Sequence, residues 1–312
     1  MARTGRIGEL DYLRCIMIVL MISFHLVYIG DTYPYAKAFV YTFHMPVFLL
    51  VSGYLTDTEK PLGKFLHRML WLAVPYIIME SGYIVMASLL PIREHIDSLT
   101  AGVFLEKLFL HPLGPYWFLH TLILGSVTLH AAMRLPGINT LSRLIVCGLA
   151  FALYSYLGIA SLAMLLYFMA GFVIRRSGLG FTKVIRPSWL SLIPIVILAA
   201  TESNLHPHTA GGVLIVYLVV SICLAAYPYI RGRLKQGMLF LGKNTLPLFL
   251  FSPMFTILCK PLQPMLAFEP TGMLFLAVSL IICITGGLLV ALCMDTLRIS
   301  PIFFGRRRII AE

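Results

Sequence analysis

Long apolar stretches separated by short polar breaks follow one another from residue 8 to residue 295 of this chain. Each stretch approaches the roughly 20 residues that a helix needs to cross a bilayer. None of the breaks is long enough for a soluble domain, so residues 1–312 are expected to form a single transmembrane domain. The fold class predicted is all-α, a polytopic membrane helix bundle of about ten transmembrane helices. Their expected ranges are 9–29, 37–56, 69–90, 116–134, 142–157, 159–175, 189–201, 211–230, 244–260 and 272–295.

The positive charges give these helices an orientation. If both termini are cytoplasmic, all but four of the 24 Lys and Arg residues fall at the inner side. The four outer ones are Lys37, Arg93, Lys107 and Lys260. An excess of Lys and Arg in cytoplasmic loops is typical of membrane proteins, so this split favours an even number of helices with both termini inside. Two regions are less regular: segment 101–115 is expected at the membrane interface, and helix 189–201 is short and interrupted by Pro194.

Composition narrows the class of protein further. Hydrophobic residues make up 59% and charged residues 12%, and the mean hydropathy is +0.90. Six cysteines without a CxxC spacing argue against a disulfide framework or a zinc site, and no metal is expected. The net charge of +11 follows from the basic inner face. It indicates contact with anionic membrane lipids or an anionic cytosolic cofactor, and it does not indicate nucleic-acid binding.

The first helix carries three polar side chains in "LDYLRCIMIVLMISFHL" (10–26), namely Asp11, Arg14 and His25. Arg14 and His25 are eleven residues apart, so both project from one face, about 16 Å from each other along the axis. Asp11 lies on that face three residues before Arg14 and can pair with it. Such groups are costly in lipid and are expected to face the bundle interior or a wet cavity. Two simpler interpretations stay open: an Asp–Arg anchor at the membrane edge and a histidine that only bridges helices.

The second helix adds another histidine. "FHMPVFLLVSGYL" (43–55) places His44 in an apolar stretch, about thirteen residues from the inner end of its helix. His25 lies about fifteen residues from the inner end of its own helix, so the two imidazoles are expected at similar depth. Pro46 would loosen the local backbone hydrogen bonding, although a simple kink is an equal alternative. Two histidines at one depth on adjacent antiparallel helices indicate a site.

Five segments resemble the acyltransferase-3 family of bacterial integral membrane O-acyltransferases. Arg14, ten intervening residues and His25 match the family signature of the first helix. The other four segments follow in the family's order from the second to the ninth helix: "FHMPVFLLVSGYL" (43–55), "KFLHRMLWLAVPY" (64–76), "GPYWFL" (114–119) and "LGKNTLPLFL" (241–250). One departure is Ser252, where many members have a histidine. Serine can replace at most a hydrogen bond of that histidine.

The resemblance implies transfer of an acyl group, usually acetyl, from acetyl-CoA or another acyl-CoA. The implied acceptor is a hydroxyl of a surface or lipid-linked glycan, and the implied location is the bacterial plasma (inner) membrane. Arg14, oriented by Asp11 and helped by Lys64 and Arg68, would hold the phosphates of coenzyme A. His25 would act as the base that takes the proton of the sugar hydroxyl. A covalent acyl-His intermediate is the alternative, and the sequence does not choose between the two.

Further roles follow for residues expected near the acceptor. His44, or Tyr116 with Trp117, would contact the sugar. Trp117 is alternatively an interfacial anchor at the end of the fourth helix. Glu80 lies inside the third helix, where an ionisable residue is a functional candidate. We expect it to hydrogen-bond His25 or His44 and to set the imidazole tautomer.

A transporter or flippase for a glycan or lipid-linked substrate is the alternative function, since its polar residues would line a path with similar chemistry. Against it stands the lack of a visible internal repeat of the kind that many transporters show. Dependence on coenzyme A separates the two functions. The oligomeric state is open between a monomer and a homo-oligomer. Near the later helix ends, Asp295 and Lys243 are interpreted as boundary charges, and Asn244 or Thr245 as a helix N-cap.

Overall fold

The fold is known from a computed structural model that describes residues 7–90 and 94–311. In those ranges every regular element is a helix, so the all-α prediction is confirmed there. Arg93, one of the predicted outer charges, lies outside the described residues. The α-helices are α1 (Gly8–His25), α2 (Val27–Thr32), α3 (Pro34–Tyr54), α4 (Leu62–Leu89), α5 (Ala101–Phe109), α6 (Trp117–Ala132), α7 (Thr140–Tyr156), α8 (Leu162–Arg176), α9 (Phe181–Val184), α10 (Leu192–Ala199), α11 (Ala210–Ala226), α12 (Gly232–Lys243), α13 (Thr245–Leu258), α14 (Leu262–Met265), α15 (Met273–Thr296) and α16 (Ser300–Phe304). Short 3-10 helices lie at Gly114–Tyr116, Trp189–Ser191, Glu202–Asn204 and Tyr227–Tyr229.

Several of these helices have the length and composition of membrane spans. Within the described residues, four are long and apolar enough to cross a bilayer: Pro34–Tyr54, Leu62–Leu89, Ala210–Tyr229 and Met273–Thr296. Three apolar helices are shorter, at Thr140–Tyr156, Trp189–Ala199 and Thr245–Leu258. These helices indicate a membrane protein. The total of about ten spans and the cytoplasmic termini stay predictions.

Each predicted stretch contains a helix, but some boundaries and elements differ. Helix α4 begins at Leu62, seven residues before the predicted start, so Lys64 and Arg68 lie in its first two turns. Pro194 does not interrupt α10, because it lies in the first turn, where its missing N–H has no helical acceptor to lose. Segment 101–115 contains α5, and Gly232–Lys243 forms α12, which the hydrophobic pattern did not predict.

The chain divides into two compact units. Unit 1 contains the described parts of residues 1–48, 179–301 and 306–312. Helix α1 is central to it and packs against α11, α12, α13 and α15. The backbone of α12 approaches α1 so closely at Gly242 that a Cβ there would overlap the carbonyl of Asp11, so the contact requires glycine. Helix α12 therefore lies along the Asp11 end of α1.

Two side chains hold the last described residues of unit 1. Asn244 occupies the N-cap position of α13, as the sequence predicts, but its side chain makes no capping hydrogen bond. The buried amide instead accepts a hydrogen bond from Ala311 N at 2.8 Å and donates one to Ala311 O at 3.1 Å. Asp295 accepts from the backbone N–H groups of Ile309 at 2.8 Å and Ile310 at 3.2 Å. Asp295 is thus more than a boundary charge.

Unit 2 contains residues 49–178 and 302–305, with its structure described apart from residues 91–93. Helix α4 packs against α5 and α6, and α6 packs against α7 and α8. At Gly53 a Cβ would overlap the carbonyl of Phe168, so the end of α3 and α8 touch backbone to backbone. Helix α7 turns a row of exposed apolar side chains outward, which is the surface expected to face lipid: Leu141, Ile145, Leu149 and Leu153.

Candidate active site

The Asp11 end of α1 presents an oriented guanidinium. Asp11 is buried, and its Oδ1 lies 3.5 Å from Arg14 Nη1, across the i, i+3 spacing of one helical turn. The Arg14 side chain keeps 23% of its surface exposed. A buried carboxylate fixes the cation, while the exposed part of the guanidinium can still reach an anion. An arginine held in this way by a neighbouring acid has the geometry to bind an anion at its exposed edge.

The other end of α1 holds His25, whose tautomer is fixed by the backbone. Its Nδ1 lies 2.7 Å from Met21 O, four residues earlier. His44 repeats the arrangement in α3, with Nδ1 2.8 Å from Val40 O. Because a carbonyl oxygen only accepts hydrogen bonds, Nδ1 carries the proton in both rings, and the neutral imidazoles keep a lone pair on Nε2. Each histidine is therefore prepared to take a proton at Nε2.

Tyr41 neighbours both histidines. Its ring centroid is 6.1 Å from that of His25 and 5.0 Å from that of His44. Its hydroxyl donates to Phe24 O at 3.3 Å, which ties α3 to the last turn of α1. His44 is buried, whereas Tyr41 is partly exposed. The two histidines thus belong to one cluster in unit 1.

Lys37 joins this cluster, and the sequence interpretation treated it only as an outer charge. Its Nζ lies 5.9 Å from the centre of the Tyr41 ring and 4.0 Å from Asp31 Oδ1. Residues 37, 41 and 44 follow the i, i+4, i+7 spacing of one helical face. That spacing is the signal in the sequence that would have placed Lys37 beside the histidines.

Glu80 has a different partner from the one predicted. The hypothesis of a hydrogen bond to His25 or His44 is wrong: Glu80 Oε1 accepts from Leu113 N at 2.6 Å, and the buried Oε2 has no hydrogen-bond partner among the described residues. Next along the chain, Gly114 N donates to Glu94 Oε2 at 2.7 Å. Two carboxylates therefore bind successive N–H groups just before α6. Glu80 serves this loop, in unit 2.

The same loop positions the predicted sugar-contacting aromatics. Tyr116 is buried, with its ring centroid 6.0 Å from that of Tyr83 in an edge-on arrangement, while Trp117 is partly exposed at the start of α6. Lys64 and Arg68 lie on the exposed surface of α4, four residues apart and so on one face. Their roles in binding sugar and phosphate stay predictions. Ser252, at the position of the family histidine, is buried in α13.

A cavity of about 560 Å³ opens at the His25 end of unit 1. It begins at Leu26, the residue after His25, and extends to the end of α13, to α14 and to the start of α15. Its wall contains both polar and aromatic side chains. The sequence analysis did not predict this cavity. The lining residues are Leu26, Val27, Tyr28, Asp31, Thr32, Thr256, Lys260, Gln263 and Phe275.

Comparisons with known proteins agree with the resemblance seen in the motifs. The sequence model of the acyltransferase-3 family, described as an acyltransferase domain, matches residues 7–292. The nodulation protein NolL of Sinorhizobium fredii is 30% identical over 154 residues, which cover 45% of this chain and 39% of NolL. The match therefore spans well under half the length of that relative. No solved structure matches the chain.

Proposed function

Because that match extends over residues 7–292, the chain belongs to the acyltransferase-3 family, and we propose that it is a membrane O-acyltransferase. In this proposal it moves an acyl group, in the first place acetyl, from cytoplasmic acyl-CoA to a hydroxyl of a surface or lipid-linked glycan. It acts in the bacterial inner membrane with both termini in the cytoplasm. The observation that carries the proposal is α1 itself, with an oriented arginine near one end and a tautomer-fixed histidine at the other.

The donor end of the reaction is assigned to Arg14. A guanidinium group that is already oriented binds phosphate well, and the ion pair with Asp11 orients the guanidinium of Arg14. Lys64 and Arg68 are kept in the proposal as further phosphate contacts, on the sequence resemblance. Coenzyme A contributes an activated thioester at the far end of a long arm. The helical rise places His25 about 16 Å from Arg14, so phosphate and thioester ends are served by different ends of one helix.

The chemical step is assigned to His25. Its Nε2 takes the proton of the acceptor hydroxyl while the oxygen forms a bond to the acyl carbon. The carbon–sulfur bond then breaks, and the proton passes from Nε2 to the departing sulfur, which gives the ester and a free thiol. The Nδ1–H bond to Met21 O keeps the ring oriented through both transfers. A route through an acyl-His intermediate uses the same Nε2 lone pair as nucleophile.

Binding and turnover of acetyl-CoA by the purified protein in nanodiscs test the proposal. We expect Arg14→Ala to lose donor affinity, and His25→Ala to bind the donor but not to release its acetyl group. The matched controls are Arg186→Ala and His206→Ala, both exposed residues to which no role is assigned, and both should behave as wild type. Absence of saturable binding by wild type at millimolar acetyl-CoA would overturn the enzyme proposal. The transporter or flippase alternative would then be tested by substrate uptake into vesicles.

A further inference from the structure

The cavity at the His25 end of unit 1 has no role in the chemistry described so far. We propose that it is the acceptor subsite and that it binds an uncharged hexopyranoside with free hydroxyls. This inference rests on the proposed function for its meaning, since it names where the acceptor of that reaction binds. Its volume of about 560 Å³ lies within the range of small-molecule sites, about 300–1,000 Å³.

The chemistry of the cavity wall fits a carbohydrate. Tyr28 and Phe275 both line the cavity and form an edge-on pair, with centroids 5.4 Å apart and planes at 84°, so aromatic surface is available to the C–H groups of a pyranose. The cavity is also lined by a carboxylate, an amide, an ammonium and two hydroxyls, so both donors and acceptors are available to sugar hydroxyls. These groups belong to Asp31, Gln263, Lys260, Thr32 and Thr256. The charges of Asp31 and Lys260 are of opposite sign, which favours an uncharged ligand over an acidic one.

Contacts connect the cavity to the histidines. Asp31 lines the cavity, and its carboxylate lies 4.0 Å from Lys37 Nζ. Lys37 in turn lies over the ring of Tyr41, which neighbours both His25 and His44. Helix α1 also ends at His25, and Leu26 takes an extended backbone conformation, so the chain turns from the base directly into the cavity wall. His25 and Leu26 are consecutive residues, so their Cα atoms are about 3.8 Å apart.

The wall is held in place by bonds between distant segments. Tyr33 donates to Thr271 O at 2.7 Å, which joins the end of α2 to the loop before α15. In that loop, Glu269 accepts from Thr271 N at 2.8 Å and from Leu274 N at 3.0 Å. These bonds fix the side of the cavity formed by Tyr28 and Phe275. Because the wall is already ordered, less conformational entropy is lost when a ligand binds.

The test is direct binding of methyl glycosides of glucose, galactose and mannose to the protein in nanodiscs without acyl-CoA, followed by saturation-transfer NMR. The double variant Thr256→Val/Gln263→Ala removes two polar groups from the wall. We expect its Kd for the bound glycoside to rise about 10- to 30-fold, because two neutral hydrogen bonds are lost. Acetyl-CoA affinity should stay at the wild-type value.

The matched control is Thr285→Val/Gln236→Ala. Thr285 and Thr256 each donate their hydroxyl to a carbonyl of their own helix, and both Thr285 and Gln236 are exposed away from the cavity. The inference is overturned if no glycoside binds to wild type, if the cavity variant binds as wild type does, or if the control loses affinity equally. Glycoside binding that behaves as expected in a protein without acetyl transfer would refute the proposed function and leave the carbohydrate site standing.

Discussion

Removal of the Glu80 carboxylate separates a structural role for this residue from a catalytic one. In Glu80→Ala, the partly buried N–H of Leu113 loses its acceptor, at a cost of about 1–3 kcal/mol. The lost methylene adds about 0.8 kcal/mol, so we expect a total near 2–4 kcal/mol. At about 2 °C per kcal/mol for a chain of this size, the Tm should fall by about 4–8 °C. Glu80→Gln keeps an acceptor oxygen and should lose less than about 1.5 kcal/mol, or about 3 °C.

The assay is thermal unfolding in nanodiscs together with acetyl transfer at a temperature where each variant is folded. Glu94→Ala is the matched control, because Glu94 binds the next N–H, that of Gly114, but is exposed and should change the Tm by less than about 2 °C. If the loop role is correct, Glu80→Gln transfers acetyl at close to the wild-type rate. A tenfold or greater loss of transfer at an unchanged Tm would refute this reasoning and return Glu80 to the reaction itself.

Three further outcomes are expected. Arg14→Lys should weaken acetyl-CoA binding about tenfold in a Kd measurement, because an ammonium cannot hold Asp11 and a phosphate in bidentate geometry. Asn244→Ala should speed hydrogen exchange at the amide of Ala311, whose N–H it leaves without its acceptor; unchanged protection there would contradict the tail contact. Hydrogen bonds, first of all from the Thr271 hydroxyl, lower the pKa of Glu269. The ionised carboxylate therefore stabilises the fold at pH values above its unfolded pKa of about 4.3, and this stabilisation is lost as the pH falls through the lower pKa of the folded state. The Tm of wild type should therefore fall more steeply below pH 5 than that of Glu269→Gln, and equal slopes would exclude the bonded carboxylate.

The features that the sequence predicted well are local ones. The Asp11–Arg14 pair follows from a spacing of three residues in any helix, and a helix was certain from the length of the apolar stretch. Counting residues along two antiparallel helices was enough to expect His25 and His44 near each other, and Tyr41 neighbours both rings. In each case the backbone period fixes the geometry, and no knowledge of distant packing is needed.

The features that it missed depend on partners far along the chain. Glu80 bonds a residue 33 positions later, and Asn244 bonds one 67 positions later. Several acceptors and donors compete for such a side chain, and only the packed fold decides among them. The sequence did not predict helix α12 for another reason. Its basic and polar residues resemble a cytoplasmic loop, and its helical form is stabilised by packing against α1.

Lys37 shows how the two kinds of information combine. The predicted orientation makes it one of four cations outside the basic inner face, where Lys and Arg are less frequent. The structure gives it Asp31 as a partner and the Tyr41 ring as a surface, so the charge is matched where the cavity and the histidines meet. Because its partner Asp31 lines the cavity, Lys37 is a candidate functional residue in addition to the predicted ones. In the proposed mechanism the two ends of α1 carry different chemistry, with Arg14 binding the donor phosphates at one end and His25 acting as the base beside a polar cavity at the other.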